Sequence, residues 1–210
     1  MKICIINGSP KAGNSTSELL IEYLMPFIKD NDIITYKVCK TTLSKAQFSQ
    51  IQSSEVLIFT FPLYIDSINS SLLNFLIELQ KREFENKNIN VYCIINNGFY
   101  EGRQNQVAAD IMKNWCKSTG LIYSQTLGVG AGEMLPFLKD IPLGHGPNKN
   151  IGIALQKLSQ NIISLNQGDD LFLSPNWSRF LWKIQASLCV WYPRAKKNGL
   201  KKKELKNKAN

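Results

Sequence analysis

Histidine is almost missing from this chain. His145 is the one example in 210 residues, which excludes a zinc site built on histidines and argues against a triad that needs a histidine base. Cysteine is present but unpatterned: Cys4, Cys39, Cys93, Cys116 and Cys189 lie far apart with no Cys-x-x-Cys spacing. An odd, dispersed set fits reduced thiols in a cytoplasmic protein rather than a disulfide scaffold. No run of about 18 apolar residues occurs, so no segment reads as a membrane span. The opening Met-Lys-Ile-Cys-Ile-Ile-Asn-Gly is too short for a signal-peptide core and lacks a small-residue cleavage site, so it reads as a first strand. Internal repeats are absent, and low complexity is confined to a lysine-rich end. What is there, 44% hydrophobic and 20% charged residues, is the composition of a globular domain with a sizeable core.

The formal charge of +9 is unevenly placed. Residues 1–169 hold 15 basic and 14 acidic side chains, whereas residues 170–210 hold 10 basic and 2 acidic ones. The excess therefore belongs to the end of the chain, and a nucleic-acid-binding function for the whole protein is not expected. This split suggests a domain over residues 1–169 followed by an extension over residues 170–210.

Short β-branched runs alternate with longer periodic segments. Ile3–Ile6, Ile33–Val38, Val56–Phe61, Val91–Ile95 and Tyr123–Val129 read as strands, and the first, third and fourth are near-continuous apolar runs, as in strands covered on both faces. Helical stripes run through residues 19–28, 72–79, 107–116 and 151–163, with a weaker one near Leu43–Ile51; Pro26 is expected to kink or end the first. Strands and helices in alternation predict an α/β fold, a parallel sheet with helices on both faces. Ligands of such sheets bind beyond the carboxyl ends of the strands, so the loops after each strand are where chemistry is sought.

The first of these loops is Asn7-Gly8-Ser9-Pro10-Lys11-Ala12-Gly13-Asn14-Ser15-Thr16-Ser17. Gly8 and Gly13 have the spacing of a triphosphate loop, but Asn14 stands where that loop needs its lysine, and Gly8-Ser9-Pro10 is not the dinucleotide Gly-x-Gly. Left over is a set of hydroxyls and amides at a helix N-terminus: Ser9, Asn14, Ser15, Thr16 and Ser17, with Lys11 adding charge. It suits one monophosphate dianion. A helix N-cap at Asn14 or Ser15, with Glu18 in the first turn, explains the same residues without a ligand. The loops after the third and fourth strands carry Pro62-Leu63-Tyr64-Ile65 and Asn96-Asn97-Gly98-Phe99, each an aromatic beside backbone amides, the combination that a flat heteroaromatic ring requires.

On these residues the chain resembles the NAD(P)H-dependent FMN reductase family of the flavodoxin-like superfamily. The resemblance covers roughly residues 1–165 and rests on Gly8-Ser9-Pro10-Lys11-x-Gly13-Asn14-Ser15 after a first strand, Pro62-Leu63-Tyr64, and Asn96-Asn97-Gly98-Phe99. It implies a five-stranded parallel sheet in the order 2-1-3-4-5. It implies FMN as cofactor, with phosphate on residues 9–17 and ring on residues 62–65 and 96–99, NADPH or NADH as donor, and a small acceptor such as flavin, quinone or a nitro or azo compound. The flavin would carry the chemistry, so no catalytic side chain and no metal is expected. Where many relatives have several cysteines after strand two this chain has Cys39 alone, so no iron–sulfur cluster is expected. Leu73, Ile77 and Glu78 replace a Lys-x-x-x-Asp-Arg run common in the third helix, so the family's subunit packing is not carried over. An electron shuttle without nicotinamide turnover, and a flavin-binding regulatory or membrane-associated module, are the alternatives.

After strand five, Gly128-Val129-Gly130-Ala131-Gly132 opens a stretch expected to be irregular to about Asn148, with His145 exposed within it. In the extension, Trp177, Phe180, Leu181, Ile184, Leu188, Trp191 and Tyr192 recur at helical spacing, Pro193 is expected to close the run, and a basic tail follows over Lys196–Lys208. A helix over 177–192 packed on protein, supporting a homodimer, is the expectation; peripheral contact of residues 177–208 with an anionic membrane is the alternative.

Overall fold

The apolar runs become one parallel sheet. In the computed structural model, which describes residues 1–38 and 44–206, the strands are β1 (Lys2–Asn7), β2 (Asp32–Lys37), β3 (Val56–Pro62), β4 (Asn90–Asn96), β5 (Ile122–Val129) and β6 (Leu171–Leu173). They pair in the order β2-β1-β3-β4-β5-β6. The order 2-1-3-4-5 is as expected, and the strand count is corrected from five to six. Three residues long and only partly buried, β6 has no periodicity of its own and exists by pairing Leu171–Leu173 with Leu127–Val129. Asp170 pins it: its carboxylate accepts from Tyr123 Oη and from the Thr126 amide, both at 2.8 Å, and lies 2.7 Å from Lys113 Nζ.

Alternation along the strands divides the core in two. Cys4 and Ile6 of β1 with Phe59 and Phe61 of β3 face α2 (Lys45–Gln52), α3 (Ser70–Lys81) and α4 (Gln106–Thr119). Ile3, Ile5, Val56 and Ile58, one residue out of step, face α1 (Thr16–Ile28) and α5 (Lys149–Ile163). Trp115 of α4 anchors the first layer by donating its indole N–H to Leu76 O at 3.0 Å and setting its ring edge on Phe59. Pro26 does not break α1 where it stands; the helix runs two residues further, to Ile28. Cys39 and the predicted helix start at Leu43 lie outside the described residues.

The stretch after β5 is more ordered than expected. Residues Gly132–Leu138 form a 3-10 helix with Met134, Leu135 and Leu138 buried, and the Asn148 side-chain amide donates to Leu138 O and Ile141 O at 3.0 and 2.8 Å. His145 is exposed, its Nδ1 3.2 Å from Leu143 O.

The chain divides into two units, Met1–Pro175 and Asn176–Asn210, so the first ends after β6 where the sequence suggested 169. In the second, α6 (Arg179–Gln185) starts from a Ser178 cap, passes into a π-helical stretch over Ala186–Trp191 and continues as α7 (Tyr192–Lys197). Pro193 therefore does not close the run. Its ring would press on the carbonyl four residues back in a regular helix, and the wider π turn just before it makes room. Among the described residues no helix is long and apolar enough to cross a membrane, and no cluster of ligands could hold a metal ion.

Candidate functional site

Because all strands run the same way, Asn7, Pro62, Asn96 and Val129 end at one edge. β1 and β3 are neighbours, and the connections from them, to β2 and to β4, depart in opposite directions and leave a crevice at that edge. Hydrogen bonds tie the four loops there into one structure. The Gly8 amide donates to Thr60 O at 2.9 Å, and Asn69, the N-cap of α3, donates its side-chain amide to Gly8 O at 2.8 Å. Asn96 donates to Ser17 Oγ at 3.0 Å and to Phe61 O at 3.2 Å. Thr16 Oγ1 donates to Gly132 O at 3.2 Å, and the Gly132 amide donates to Asn97 O at 2.7 Å.

Within the first loop the serines are buried. Ser15 caps α1 by accepting from the Glu18 amide at 3.1 Å, Ser9 Oγ accepts from the Lys11 amide at 3.4 Å, and Ser17 accepts from Asn96. Each hydroxyl accepts and so keeps its proton for donation. Lys11 and Asn14 are exposed and Thr16 is half-buried. A helix leaves its first amides without intrahelical partners. Here Ser15 takes those of Glu18 and Leu19, through its side chain and its carbonyl, and among the described residues nothing takes those of Thr16 and Ser17. Two unclaimed amides and the positive end of a 13-residue helix, with Lys11 in the same loop, fit a phosphate monoester.

The other two loops are partly closed on themselves. The Leu63 amide donates to Asn96 O, that of Tyr64 to Ser67 O and that of Asn97 to Val129 O, so these three of the expected edge donors are engaged within the chain. Those of Ile65, Gly98 and Phe99 have no partner among the described residues. Pro62 and Leu63 are half-buried, whereas Tyr64 and Phe99 are 47% and 51% exposed. Asn97 is buried, its Oδ1 without a partner. Ile65 and Asp66 form a two-residue turn with φ of 47° and 55°, closed by the reciprocal Tyr64–Ser67 bonds.

Residues that the sequence argument left out complete this edge. Asn69 fixes the first loop to α3, and its place before a Ser-Ser-Leu helix start was the available signal. Glu133, beside Gly98, comes from the segment after β5. The glycine run there is packed rather than open: Gly130 donates to Leu173 O at 2.8 Å and abuts Tyr100 and Gly102. Thiolate chemistry has no place in the core, since burial pushes Cys4 and Cys116 up to about 12 and holds Cys93 well above its ordinary range.

Fold and crevice define a flavodoxin-like α/β protein. The apo form of an NADH:FMN oxidoreductase, EMOB, is similar with a TM-score of 0.61 at 17% identity, over 80% of this chain and 90% of that one. An FMN-dependent NADH-azoreductase from Bacillus anthracis str. Ames Ancestor, solved in complex with FMN, is similar with a TM-score of 0.59 at 13% identity, over 77% and 99% of the two chains. A flavodoxin from Streptococcus pneumonia TIGR4 gives 0.56 at 14% identity, over 79% and 99%. At these identities the likeness establishes the fold. No protein-family model and no curated protein matches the chain.

Proposed function

We propose that this chain is an FMN-dependent oxidoreductase that takes electrons from NADH or NADPH and delivers them to a small acceptor such as a flavin, a quinone or a nitro or azo compound. The observation that carries it is the pair of unclaimed Thr16 and Ser17 amides at the N-terminus of α1, at the crevice and hydrogen-bonded through Thr16 to the loop after β5. Two proteins of this fold are named as an NADH:FMN oxidoreductase and an FMN-dependent NADH-azoreductase, which supports the same reading.

FMN, when bound, supplies the hydride-accepting chemistry, so the chain needs no acid or base of its own. Thr16, Ser17, Asn14 and Lys11 hold the phosphate, and Ser9 and Ser15 shape the loop beneath it. Tyr64 and Phe99 offer apolar faces to the ring, while the amides of Ile65, Gly98 and Phe99 are donors for its polar edge.

Titration of the purified protein with FMN and with riboflavin tests the site. FMN is expected to bind stoichiometrically, and replacing Ser15 and Thr16 together by Ala is expected to weaken FMN about tenfold while leaving riboflavin nearly unchanged. Equal loss for both ligands would remove the phosphate from this loop. Stopped-flow mixing of the FMN-loaded protein with NADPH or NADH is then expected to bleach the flavin absorbance. If neither donor does so, the activity reduces to electron carriage.

A further inference from the structure

The unit Asn176–Asn210 exposes an apolar stripe on a helix. Phe180, Ile184, Leu188 and Trp191 recur at intervals of four, four and three residues, with Leu181 beside them, and are exposed by 71%, 40%, 57%, 58% and, for Leu181, 46%. So large an exposed apolar stripe marks an interaction surface. Leu200 and Leu205, also exposed, extend the apolar character past the helix.

What covers the stripe is indicated by charge. Residues 176–210 hold 10 basic side chains and one acid, Glu204, whereas residues 1–175 hold 15 of each sign. None of Lys183, Arg194, Lys196, Lys197, Lys201, Lys202 and Lys203 has an ion-pair partner among the described residues. The lysine-rich end also folds back on the helix: the Leu200 amide donates to Ala195 O at 2.9 Å, and Lys202 Nζ lies 4.4 Å from the centre of the Tyr192 ring. Basic residues are thereby held close to the stripe rather than trailing away from it. A second copy of this chain would offer a body of zero net charge and another strongly basic tail, so it does not complement this surface. An extended anionic surface with an apolar interior does.

We propose that residues 176–210 form a peripheral membrane-binding element, with Phe180, Ile184, Leu188 and Trp191 entering the interface of a bilayer rich in anionic phospholipid and the surrounding Lys and Arg side chains meeting its headgroups. It lies in the interface without spanning. The proposal stands apart from the flavin reading, because no residue of the crevice takes part in it.

Full-length protein mixed with vesicles of phosphatidylcholine, with and without phosphatidylglycerol, tests it by co-sedimentation and tryptophan emission. Binding is expected with phosphatidylglycerol only, with a blue shift in emission and release at high salt. The Lys201→Gln/Lys202→Gln/Lys203→Gln variant is expected to bind on the order of a hundredfold more weakly. The Phe180→Ser/Leu188→Ser/Trp191→Ser variant is expected to lose stable insertion, with the near-ultraviolet dichroism of Trp115 in the main unit unchanged in both. Equal binding to neutral vesicles, or none to anionic ones, overturns the proposal. So does a serine variant whose only change is a lower oligomeric mass, which assigns the stripe to a second copy. Binding of an RNA homopolymer without vesicle binding overturns it equally.

Discussion

In residues 1–175 the aliphatic side chains of β1, β3 and β4 are buried between two layers of helices, and the loops ending those strands carry serine, threonine and asparagine. In residues 176–210 Phe180, Leu188 and Trp191 are each more than half exposed, with Lys183 between them and most of the other basic residues following Trp191. The first unit satisfies itself and leaves donors unclaimed at one crevice, which suits a small anionic ligand. The second leaves its apolar stripe exposed and has seven basic side chains without an ion-pair partner among the described residues, which suits an extended surface. One unit is built by packing and the other for contact, and substitutions should tell them apart.

The largest expected difference concerns Asp170. Its side chain is 9% exposed and serves Lys113, Tyr123 and Thr126 together, so Asp170→Ala leaves three donors without their acceptor and frees β6. About 3–5 kcal/mol of stability should be lost by urea denaturation, because the buried Thr126 amide and the Tyr123 hydroxyl each lose a hydrogen bond to a charged acceptor, at about 1.5–3 kcal/mol apiece. Lys183→Ala in the second unit should change stability by less than about 0.5 kcal/mol. Comparable losses would mean that the tail is as tightly built as the sheet.

Glycine substitutions sharpen the contrast. A Cβ on Gly130 would lie 2.2 Å from Tyr100 O and 2.7 Å from the Gly102 amide nitrogen, both backbone atoms that cannot turn aside. Gly130→Ala should therefore cost about 3 kcal/mol and lower the melting temperature accordingly. Gly199 has a φ of 74° with nothing within 4 Å of a new Cβ, so Gly199→Ala should cost only the left-handed strain, about 1 kcal/mol.

These sites also mark what the sequence made legible. Ile3–Ile6, Val56–Phe61 and Val91–Ile95 declare themselves because a strand buried on both faces must be apolar along its length, and their order follows from the family resemblance. The loop from Ser9 to Ser17 is legible because its residue types serve local chemistry. Leu171–Leu173 is not, since three residues carry no period and the partner, β5, lies more than forty residues away in sequence. The Thr16–Gly132 bond and the Asn148 side chain that orders residues 132–148 are non-local in the same way. Passage of the helix through Pro193 escaped because proline reads as a stop, and only the π turn before it permits continuation.

Alkali should act on the first unit. Burial raises the Cys4 and Cys116 thiols to about 12, with Lys2 pulling Cys4 back slightly. The fold thus favours the neutral thiols; their contribution is complete below the free-thiol value of about 8.5 and is lost as the pH climbs toward 12. The urea midpoint should fall steadily from about pH 9 upward, and Cys4→Ser should flatten that fall in part. In the native protein at pH 8, exposed Cys189 should react with a thiol reagent, while Cys4, Cys93 and Cys116 react only after unfolding. Rapid native modification of all three would contradict the burial that defines this unit.

The smallest effect compares one backbone conformation in the two units. Gly199 meets the left-handed region with glycine, whereas Ile65 meets it, at φ 47°, with a β-branched side chain that is 99% exposed. Such a residue pays for that conformation without gaining burial, and strain of this kind gathers at ligand sites. Ile65→Gly should therefore stabilise the protein by about 0.5 kcal/mol net, a small rise in melting temperature, because the left-handed strain relieved, about 1–2 kcal/mol, outweighs the greater chain entropy of glycine. If Ile65 is held there to present its amide and side chain to the flavin ring, the more stable variant should bind FMN and riboflavin equally less well, unlike the Ser15 and Thr16 variant, which discriminates between them. Gain of stability with unchanged affinity for both flavins would place the ring contacts on Tyr64, Gly98 and Phe99 alone.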